Sequence, residues 1–312
     1  MPSWQARCLN AGVRALVRRR RWGAGETGVV RRARLLMGAP PPYRWLRTRG
    51  LRVVPVREEG LRGEWLGAAS CDESRVILYM HGGGYVSCSA ATHRPITAAL
   101  ARLSGRRVFS LDYRLAPEHR YPAALDDALA AYRWLLRQER LRPEAIALCG
   151  DSAGGGLVLA TLLRARDEGL PAPSCAVCFS PWTDLAGTGA SVRSNDGRCA
   201  MFRTENVGEF ASVYLGEASP REPYASPAYA TNFAGLPPVL LQVGSTELLL
   251  DDARCVHAKI LEAGGVSRLE VYEDVFHCWQ MLDGIIPESR AALLSAIRFI
   301  DEHAPVERIR VA

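Results

Sequence analysis

Short apolar runs alternate with longer helical patterns along this chain, and this alternation limits its fold more than any other feature. The strand candidates are residues 52–56, 63–66, 76–80, 107–112, 145–149, 175–179, 239–243 and 269–272. The helix candidates are residues 92–104, 122–140, 153–167, 251–263 and 287–303. Because the later runs are apolar almost without interruption, they are typical of strands buried on both faces of a mostly parallel sheet. The pattern predicts one α/β domain with helices on both faces of a mostly parallel central sheet and right-handed crossovers.

Two segments do not follow this alternation. Residues 1–45 carry an amphipathic helical pattern that ends near the break Pro40-Pro41-Pro42, and residues 185–225 fill most of a long connection between two core strands. Structureless connections of that length are uncommon in compact domains and usually serve as lids or binding elements. We therefore expect residues 46–312 to form the main domain, and residues 1–45 and 185–225 to cover the same side of its sheet as a helical cap.

Charge is distributed unevenly between the N-terminal segment and the rest of the chain. The 312 residues carry a formal net charge of +6, but residues 1–50 hold 12 arginines and one acidic residue, Glu26, while the remainder is net −5. Arginine outnumbers lysine 38 to one, which indicates a preference of the whole sequence and not a nucleic-acid site. The run from Arg18 to Arg21 is predicted to be one end of a solvated helix, with contact to phosphate or anionic lipid as the alternative.

Composition and cysteine usage exclude several other classes of protein. With 48% hydrophobic and 23% charged residues, extensive disorder, collagen and coiled coil are excluded. No run reaches the ~18 apolar residues of a membrane span, and no secretory signal is recognisable. The nine cysteines are scattered, and the pair Cys175 and Cys178 lies in an apolar run without a second pair, so we predict no metal or redox site. We expect a reduced, cytoplasmic location without stable membrane insertion.

The strongest chemical signal is Gly150-Asp151-Ser152-Ala153-Gly154. It follows the strand candidate 145–149 and opens the helix candidate 153–167, which is the context that a G-x-S-x-G nucleophile elbow requires. The flanking glycines let the chain turn sharply, so the Ser152 hydroxyl is expected at the carboxyl end of a strand, beside the positive N-terminus of the next helix. The alternative is a glycine-rich strand–helix turn without chemistry.

A run of three glycines, in His81-Gly82-Gly83-Gly84-Tyr85, directly follows the strand candidate 76–80. Consecutive glycines let backbone N–H groups approach a ligand, and acyl transfer needs such donors where the tetrahedral oxyanion develops. We predict that the amides of Gly83, Gly84 and Ala153 form this oxyanion hole. His81 is expected to order the loop and not to titrate in catalysis. The alternative is an ordinary glycine turn.

A nucleophilic serine needs a base, and the base needs an orienting acid. His277 is the best candidate for the base because it follows the last strand candidate in a short loop, whereas His93, His119, His257 and His303 have no such position. Glu247 comes soon after the strand candidate 239–243, while Asp251 and Asp252 begin the next helix, where acids also serve as N-terminal dipole partners. We favour Glu247, with Asp251 as the alternative acid. Ser152, Glu247 and His277 then follow the serine–acid–histidine order of α/β-hydrolases.

These motifs together resemble the hormone-sensitive-lipase family of bacterial carboxylesterases. The resemblance covers about residues 75–300 and also rests on Tyr113-Arg-Leu-Ala-Pro-Glu-His119 with Tyr121-Pro-Ala-Ala-Leu-Asp126, and on residues 180–184 and 248–252. It implies an α/β-hydrolase fold with a helical cap, hydrolysis of short- to medium-chain acyl esters by water, and no cofactor or metal. Family members often carry Asp-Pro-Leu where this chain has Glu247-Leu248-Leu249.

On this basis we expect a serine carboxylesterase whose substrate pocket includes Tyr85, Asp151 and Trp182. The turn at residues 113–119 is expected to be structural and held by an Arg114–Glu118 interaction. The partners expected are a small-molecule ester and water, without nucleic acid, and the chain could form a homodimer. Two other functions stay open: an amide or formamide hydrolase with the same triad, and a non-catalytic small-ligand receptor on the same fold.

Overall fold

The computed structural model describes residues 1–18, 25–40, 47–58 and 60–304. Its strands are β1 (Arg52–Glu58), β2 (Leu61–Gly67), β3 (Asp72–Met80), β4 (Arg106–Leu111), β5 (Ile146–Asp151), β6 (Cys175–Phe179), β7 (Val239–Gly244) and β8 (Ser267–Tyr272). They form one eight-stranded sheet in the order β1-β2-β4-β3-β5-β6-β7-β8. β2 pairs antiparallel with β1 and β4, and every pair from β4 through β8 is parallel.

Helices cover both faces of the sheet. They are α1 (Trp4–Val13), α2 (Gly25–Met37), α3 (Arg94–Ser104), α4 (Ala123–Arg137), α5 (Ala153–Asp167), α6 (Ala190–Ser194), α7 (Thr204–Leu215), α8 (Leu250–Glu262) and α9 (Pro287–His303). Successive side chains of a strand point to opposite faces. Ile77 and Tyr79 therefore pack with residues of α3 and α9, while Leu78 and Met80 pack with residues of α4, α5 and α8. The predicted α/β fold is confirmed.

Most predicted strands and helices of the core lie within two residues of the observed bounds. β3 begins earlier, at Asp72, because its first residues are polar and partly exposed and carry no apolar signal. α4 ends earlier, at Arg137, and Arg140 adopts a left-handed φ of 52° that a helix cannot continue through. The segment 185–225 contains two helices, α6 and α7, which the sequence pattern did not resolve.

The turn at residues 113–119 is held by partners distant in sequence, and the predicted Arg114–Glu118 interaction is wrong. Arg114 binds Asp127, with Nη2 2.8 Å from Oδ1. Glu118 instead accepts both Nη groups of Arg34, which lies on α2, at 2.8 and 2.6 Å. Spacing within the motif suggested a local pair, but a guanidinium fork meets a carboxylate best with two parallel hydrogen bonds. The Arg34–Glu118 pair fastens α2 to the main domain.

Arg18 joins the N-terminal segment to the segment 185–225. α1 continues as one π-helical turn to Arg18, whose side chain is only 14% exposed, so its predicted place at the end of a solvated helix is wrong. Its guanidinium donates to the carbonyl oxygens of Cys199, at 3.2 Å, and Phe202, and pairs with Asp196 at 3.1 Å. Arg19 to Arg21, like Pro41 and Pro42, lie outside the described residues.

The cysteines of the described residues are all free thiols. Burial raises the pKa of the Cys175 thiol to about 12 and raises that of Cys178 further. Within the same ranges no group of His, Cys, Asp and Glu side chains could hold a metal ion. No helix among the described residues has the length and hydropathy needed to cross a membrane.

Candidate active site

Ser152 lies in the sharp turn between β5 and α5. Its backbone has φ 53° and ψ −123°, a conformation that is rare for a residue with a side chain and costs about 1–3 kcal/mol. Hydrogen bonds hold it there: the Ser152 amide donates to the Phe179 carbonyl at 2.8 Å, and the Ser152 carbonyl accepts from the Trp182 amide at 2.9 Å. At Gly154 an added Cβ would lie 2.1 Å from the Met80 carbonyl oxygen, so only glycine permits this close approach of helix and strand.

The side chains of Ser152, His277 and Glu247 form one hydrogen-bonded chain. The Ser152 Oγ lies 2.8 Å from the Nε2 of His277, and the Nδ1 of His277 lies 2.5 Å from the Oε2 of Glu247. The three residues follow the carboxyl ends of β5, β8 and β7, which reach the same edge of a parallel sheet. When Nδ1–H donates to the carboxylate, the lone pair of Nε2 faces the serine hydroxyl and can accept its proton.

The second oxygen of Glu247 is held as firmly as the first. Its Oε1 accepts from the Gly244 amide at 2.6 Å and from the Ser180 hydroxyl at 2.7 Å, in a place where Glu247 is 1% exposed. These donors fix the carboxylate and stabilise its charge away from water. Sequence reasoning gave Ser180 no role. Its position directly after β6, the strand between β5 and β7, was the available signal.

Asp251 and Asp252 do not reach His277. Asp251 accepts from the Ser191 amide of α6 at 2.8 Å and pairs with Arg254 at 3.2 Å. Asp252 is buried and accepts the amides of Thr183 and Asp184 at 2.7 and 2.8 Å. Burial raises the pKa of Asp252 well above its usual range. Both aspartates lie in the first turn of α8, as expected for dipole partners, but their side-chain hydrogen bonds also tie α8 to neighbouring segments.

The glycine loop presents free amide groups beside Ser152. Gly83 has φ 116°, and a Cβ there would lie 2.3 Å from the Ser87 carbonyl oxygen, so this turn requires glycine. Gly83, Gly84 and Ser152 all line one cavity. No described residue accepts a hydrogen bond from the amides of Gly83, Gly84 or Ala153. Ala153 is also the first residue of α5, where the helix dipole favours negative charge.

A buried carboxylate anchors the glycine loop. Asp151 accepts from the Tyr79 hydroxyl at 2.7 Å and from the Gly82 amide at 2.9 Å, and it lies 3.2 Å from the Nε2 of His93. Burial opposes its ionisation, but the charge and hydrogen bond of His93, with the Tyr79 and Gly82 donors, prevail and lower the pKa of Asp151. His93, taken from sequence as an ordinary side chain, therefore supports this loop. Nothing in the local sequence around His93 signals that role.

His81 is placed to order the loop. Its Nδ1 lies 2.7 Å from the Gly82 carbonyl oxygen, and its ring stacks on Tyr113 with centroids 4.2 Å apart. Burial, with the neighbouring His93, lowers the pKa of His81 to about 4. The imidazole is therefore neutral near pH 7, and Nδ1–H donates to the carbonyl.

The cavity beside Ser152 has a volume of about 350 Å³ and a mostly apolar wall. Both segments outside the sheet–helix core contribute to it, through Val13, Val17, Leu36, Met37 and Ala39 and through Cys199, Met201, Phe202, Asn206, Val207 and Phe210. The ring of Phe202 meets that of His277 edge-on, with centroids 5.2 Å apart. No sequence motif marked Phe202.

Two of the three predicted pocket residues line the cavity. Asp151 and Trp182 line the cavity, whereas Tyr85 does not. Tyr85 is buried, with a left-handed φ of 63°, and its ring stacks on Tyr214 with centroids 3.7 Å apart. The expectation that Tyr85 contacts substrate is therefore not met, because its ring packs between the glycine loop and α7.

Comparisons with known proteins agree with the observed fold. A family model described as an alpha/beta hydrolase fold matches residues 77–281. An acetyl-hydrolase of Streptomyces hygroscopicus is 44% identical over 237 residues, which cover 76% of this chain and 78% of that protein. The crystal structure of EstE5, soaked with p-nitrophenyl butyrate, superposes with a TM-score of 0.88 at 36% identity and covers 97% of this chain and 100% of its own. An esterase from the bacterial hormone-sensitive lipase family gives a TM-score of 0.84 at 37% identity, over 97% and 99% of the two chains.

Proposed function

Because the chain belongs to the hormone-sensitive-lipase family of bacterial esterases and is a carboxylic ester hydrolase, we propose that it cleaves short- to medium-chain acyl esters through an acyl-enzyme on Ser152. The observation that carries the proposal is the hydrogen-bonded chain from Ser152 through His277 to Glu247, at the wall of an apolar cavity. A serine, a base and an acid joined by hydrogen bonds in this way perform acyl transfer on several unrelated folds.

In the proposed first half of the cycle, the Ser152 Oγ attacks the ester carbonyl carbon while its proton passes to the Nε2 of His277. The oxyanion that forms accepts hydrogen bonds from the amides of Gly83, Gly84 and Ala153. Glu247 keeps the proton on Nδ1 and stabilises the imidazolium. The imidazolium then protonates the departing alkoxide, and the C–O bond breaks to leave an acyl-enzyme and an alcohol.

In the second half, His277 removes a proton from a water molecule, which attacks the acyl carbonyl through the same oxyanion. Collapse of this intermediate returns the proton to the Ser152 Oγ and releases the carboxylic acid. In each half His277 takes up one proton and then gives it up, so the protons balance without a metal, a cofactor or an external acid.

We propose that residues 1–45 and 185–225 form a cap over the main domain, residues 46–312. Support comes from the cavity wall, to which both segments contribute, and from the Arg18 bonds that join them. About 350 Å³ lies at the small end of ligand pockets, and the wall is apolar, which favours short to medium acyl chains.

The nucleophile is tested with Ser152→Ala, assayed on p-nitrophenyl butyrate beside the exposed control Ser219→Ala. Ser152→Ala should lose turnover and keep its fold by circular dichroism, while the control keeps wild-type kcat/KM. A slowly deacylated ester should add its acyl mass to the wild-type peptide that contains Ser152. A fully active Ser152→Ala variant would refute the mechanism.

Substrate class is tested with a series of p-nitrophenyl esters from acetate to laurate and with the p-nitroanilide of the best acyl group. The highest kcat/KM should fall between acetate and octanoate and decline at laurate, and the ester should react far faster than the anilide. A maximum at laurate would contradict the assigned chain length. Comparable rates on ester and anilide would favour the amide hydrolase.

A further inference from the structure

The N-terminal segment carries the most exposed large apolar side chains of the described residues. Trp4, Leu16 and Leu35 are 71%, 65% and 74% exposed. Elsewhere in the described ranges, exposed side chains of this kind are spread from Val54 to Leu294, and none exceeds 54%. Scattered single apolar residues are normal on a protein surface, but a concentration of them marks an interaction site.

The apolar residues of α1 lie on two opposite sides of the helix. On the inner side Ala6 is buried, and Val13 and Val17 line the cavity. On the outer side Trp4, Cys8, Ala11 and Ala15 recur every three or four residues and are exposed. A helix that packs on the core through one side needs no apolar residues on the other. The exposed apolar residues on the outer side of α1 are therefore available for contact with a partner.

Two unpaired basic side chains accompany these apolar side chains, beside the hydrogen-bonded carboxylate of Glu288. Arg7 on α1 and Arg31 on α2 are exposed, and neither has an ion-pair partner among the described residues. The one acidic residue of residues 1–50, Glu26, is neutralised by Arg120 at 2.8 and 2.9 Å. Exposed Trp and Leu combined with unpaired Arg are typical of helices that lie in the interface of an anionic membrane.

We propose that the outer surface of α1 and α2, defined by Trp4, Arg7, Leu16, Arg31 and Leu35, docks on an anionic lipid surface. The apolar side chains enter the boundary between headgroups and acyl chains, and the arginines contact lipid phosphates. Residues 51–312 are net negative, so the excess positive charge of the chain lies in residues 1–50. Docking brings Val13 and Val17, on the inner side of the same helix, close to the lipid.

Two other occupants fit the surface less well. In a two-fold symmetric dimer the same surface meets itself, so its arginines would face each other without acidic partners. A nucleic acid would satisfy the arginines, but its phosphate backbone gains little from exposed leucines. An anionic lipid surface satisfies the apolar and the basic side chains together.

The experiment is flotation of the full chain with vesicles of phosphatidylcholine alone and of equal parts phosphatidylcholine and phosphatidylglycerol, at about 0.1 M and about 1 M salt. The apolar variant is Trp4→Ser/Leu16→Ser/Leu35→Ser, matched by Leu261→Ser/Leu294→Ser at exposed positions elsewhere. The charge variant is Arg7→Glu/Arg31→Glu, matched by Arg137→Glu/Arg140→Glu. Activity on a dissolved p-nitrophenyl ester, which should stay at the wild-type level in all four variants, reports that each is folded.

The wild-type chain and both controls should float with anionic vesicles at the lower salt and not with neutral ones. Both test variants should bind about tenfold more weakly or worse. The apolar variant loses the side chains that enter the lipid, and in the charge variant each arginine at such a surface is worth about a fivefold change in affinity. Three results would overturn the proposal. They are no binding to anionic vesicles, equal loss in the control variants, or self-association or DNA binding by the wild type that the test variants alone abolish.

Discussion

Glu247→Gln is the substitution that probes the proposed acid most directly. Two of the three hydrogen bonds of the carboxylate, from Gly244 and Ser180, reach Oε1 and need an acceptor there. The glutamine oxygen must take that position, so its NH₂ group replaces Oε2, 2.5 Å from the Nδ1 of His277. An amide NH₂ cannot accept a hydrogen bond, so the imidazole must turn its Nδ1 lone pair toward it. The proton then lies on Nε2 and faces Ser152.

An imidazole in this tautomer cannot take the serine proton. In serine proteases, a histidine held in the wrong tautomer lowers kcat by about 10⁴-fold, which corresponds to about 5 kcal/mol of transition-state stabilisation. We expect a loss of that size for Glu247→Gln on p-nitrophenyl butyrate, with little change in KM. The fold should persist, because glutamine keeps the size of the side chain and the bonds to Gly244 and Ser180.

Asp251→Asn is the matched control. Its side-chain oxygen can still accept from the Ser191 amide, and it loses only the exposed pair with Arg254, which is worth about 0–1 kcal/mol. Its kcat should stay within about threefold of the wild type. If Asp251→Asn is the inactive variant, or if Glu247→Gln keeps most of its kcat, the assignment of Glu247 is wrong.

Three further outcomes are expected. Gly83→Ala should lower kcat by about 10²–10³, the effect of one lost oxyanion donor, because its Cβ meets a carbonyl oxygen; an active variant would place the oxyanion elsewhere. Arg34→Gln should lower kcat by about tenfold with KM unchanged, because it removes the hydrogen bonds to Glu118 and to the Val86 carbonyl beside the glycine loop. Arg31→Gln should have no effect on a dissolved ester. The pKa of His81 is about 6.5 in the unfolded chain and about 4 in the folded protein. As the pH falls, the unfolded chain therefore binds the proton first. The free energy of unfolding should drop by up to about 3 kcal/mol between pH 6.5 and pH 4. Urea unfolding of His81→Asn should show a smaller drop, and an identical pH dependence would contradict the lowered pKa.

The local sequence determined the core of this protein and indicated the residues proposed to react. Apolar runs of strand length and helical patterns reproduce most observed bounds, because burial on a parallel sheet leaves a signal that spans neighbouring residues. The serine turn and the glycine loop are equally local, since each needs glycine where the backbone has a left-handed φ or approaches another strand closely. Ser152, His277 and Glu247 could be proposed because each follows the end of a strand.

Contacts between distant parts of the chain were decided only by the tertiary structure. The choice of Glu247 over Asp251 depends on where β7 and β8 lie relative to β5, and both acids fit the sequence pattern. Arg34 reaches Glu118 from 84 residues away, so spacing within the motif indicated the wrong partner. Tyr85 lies in the expected motif, yet it stacks on Tyr214 instead of lining the cavity. Local patterns record which residues are buried and how the backbone turns, whereas long-range hydrogen bonds and ring contacts depend on how all the elements pack together.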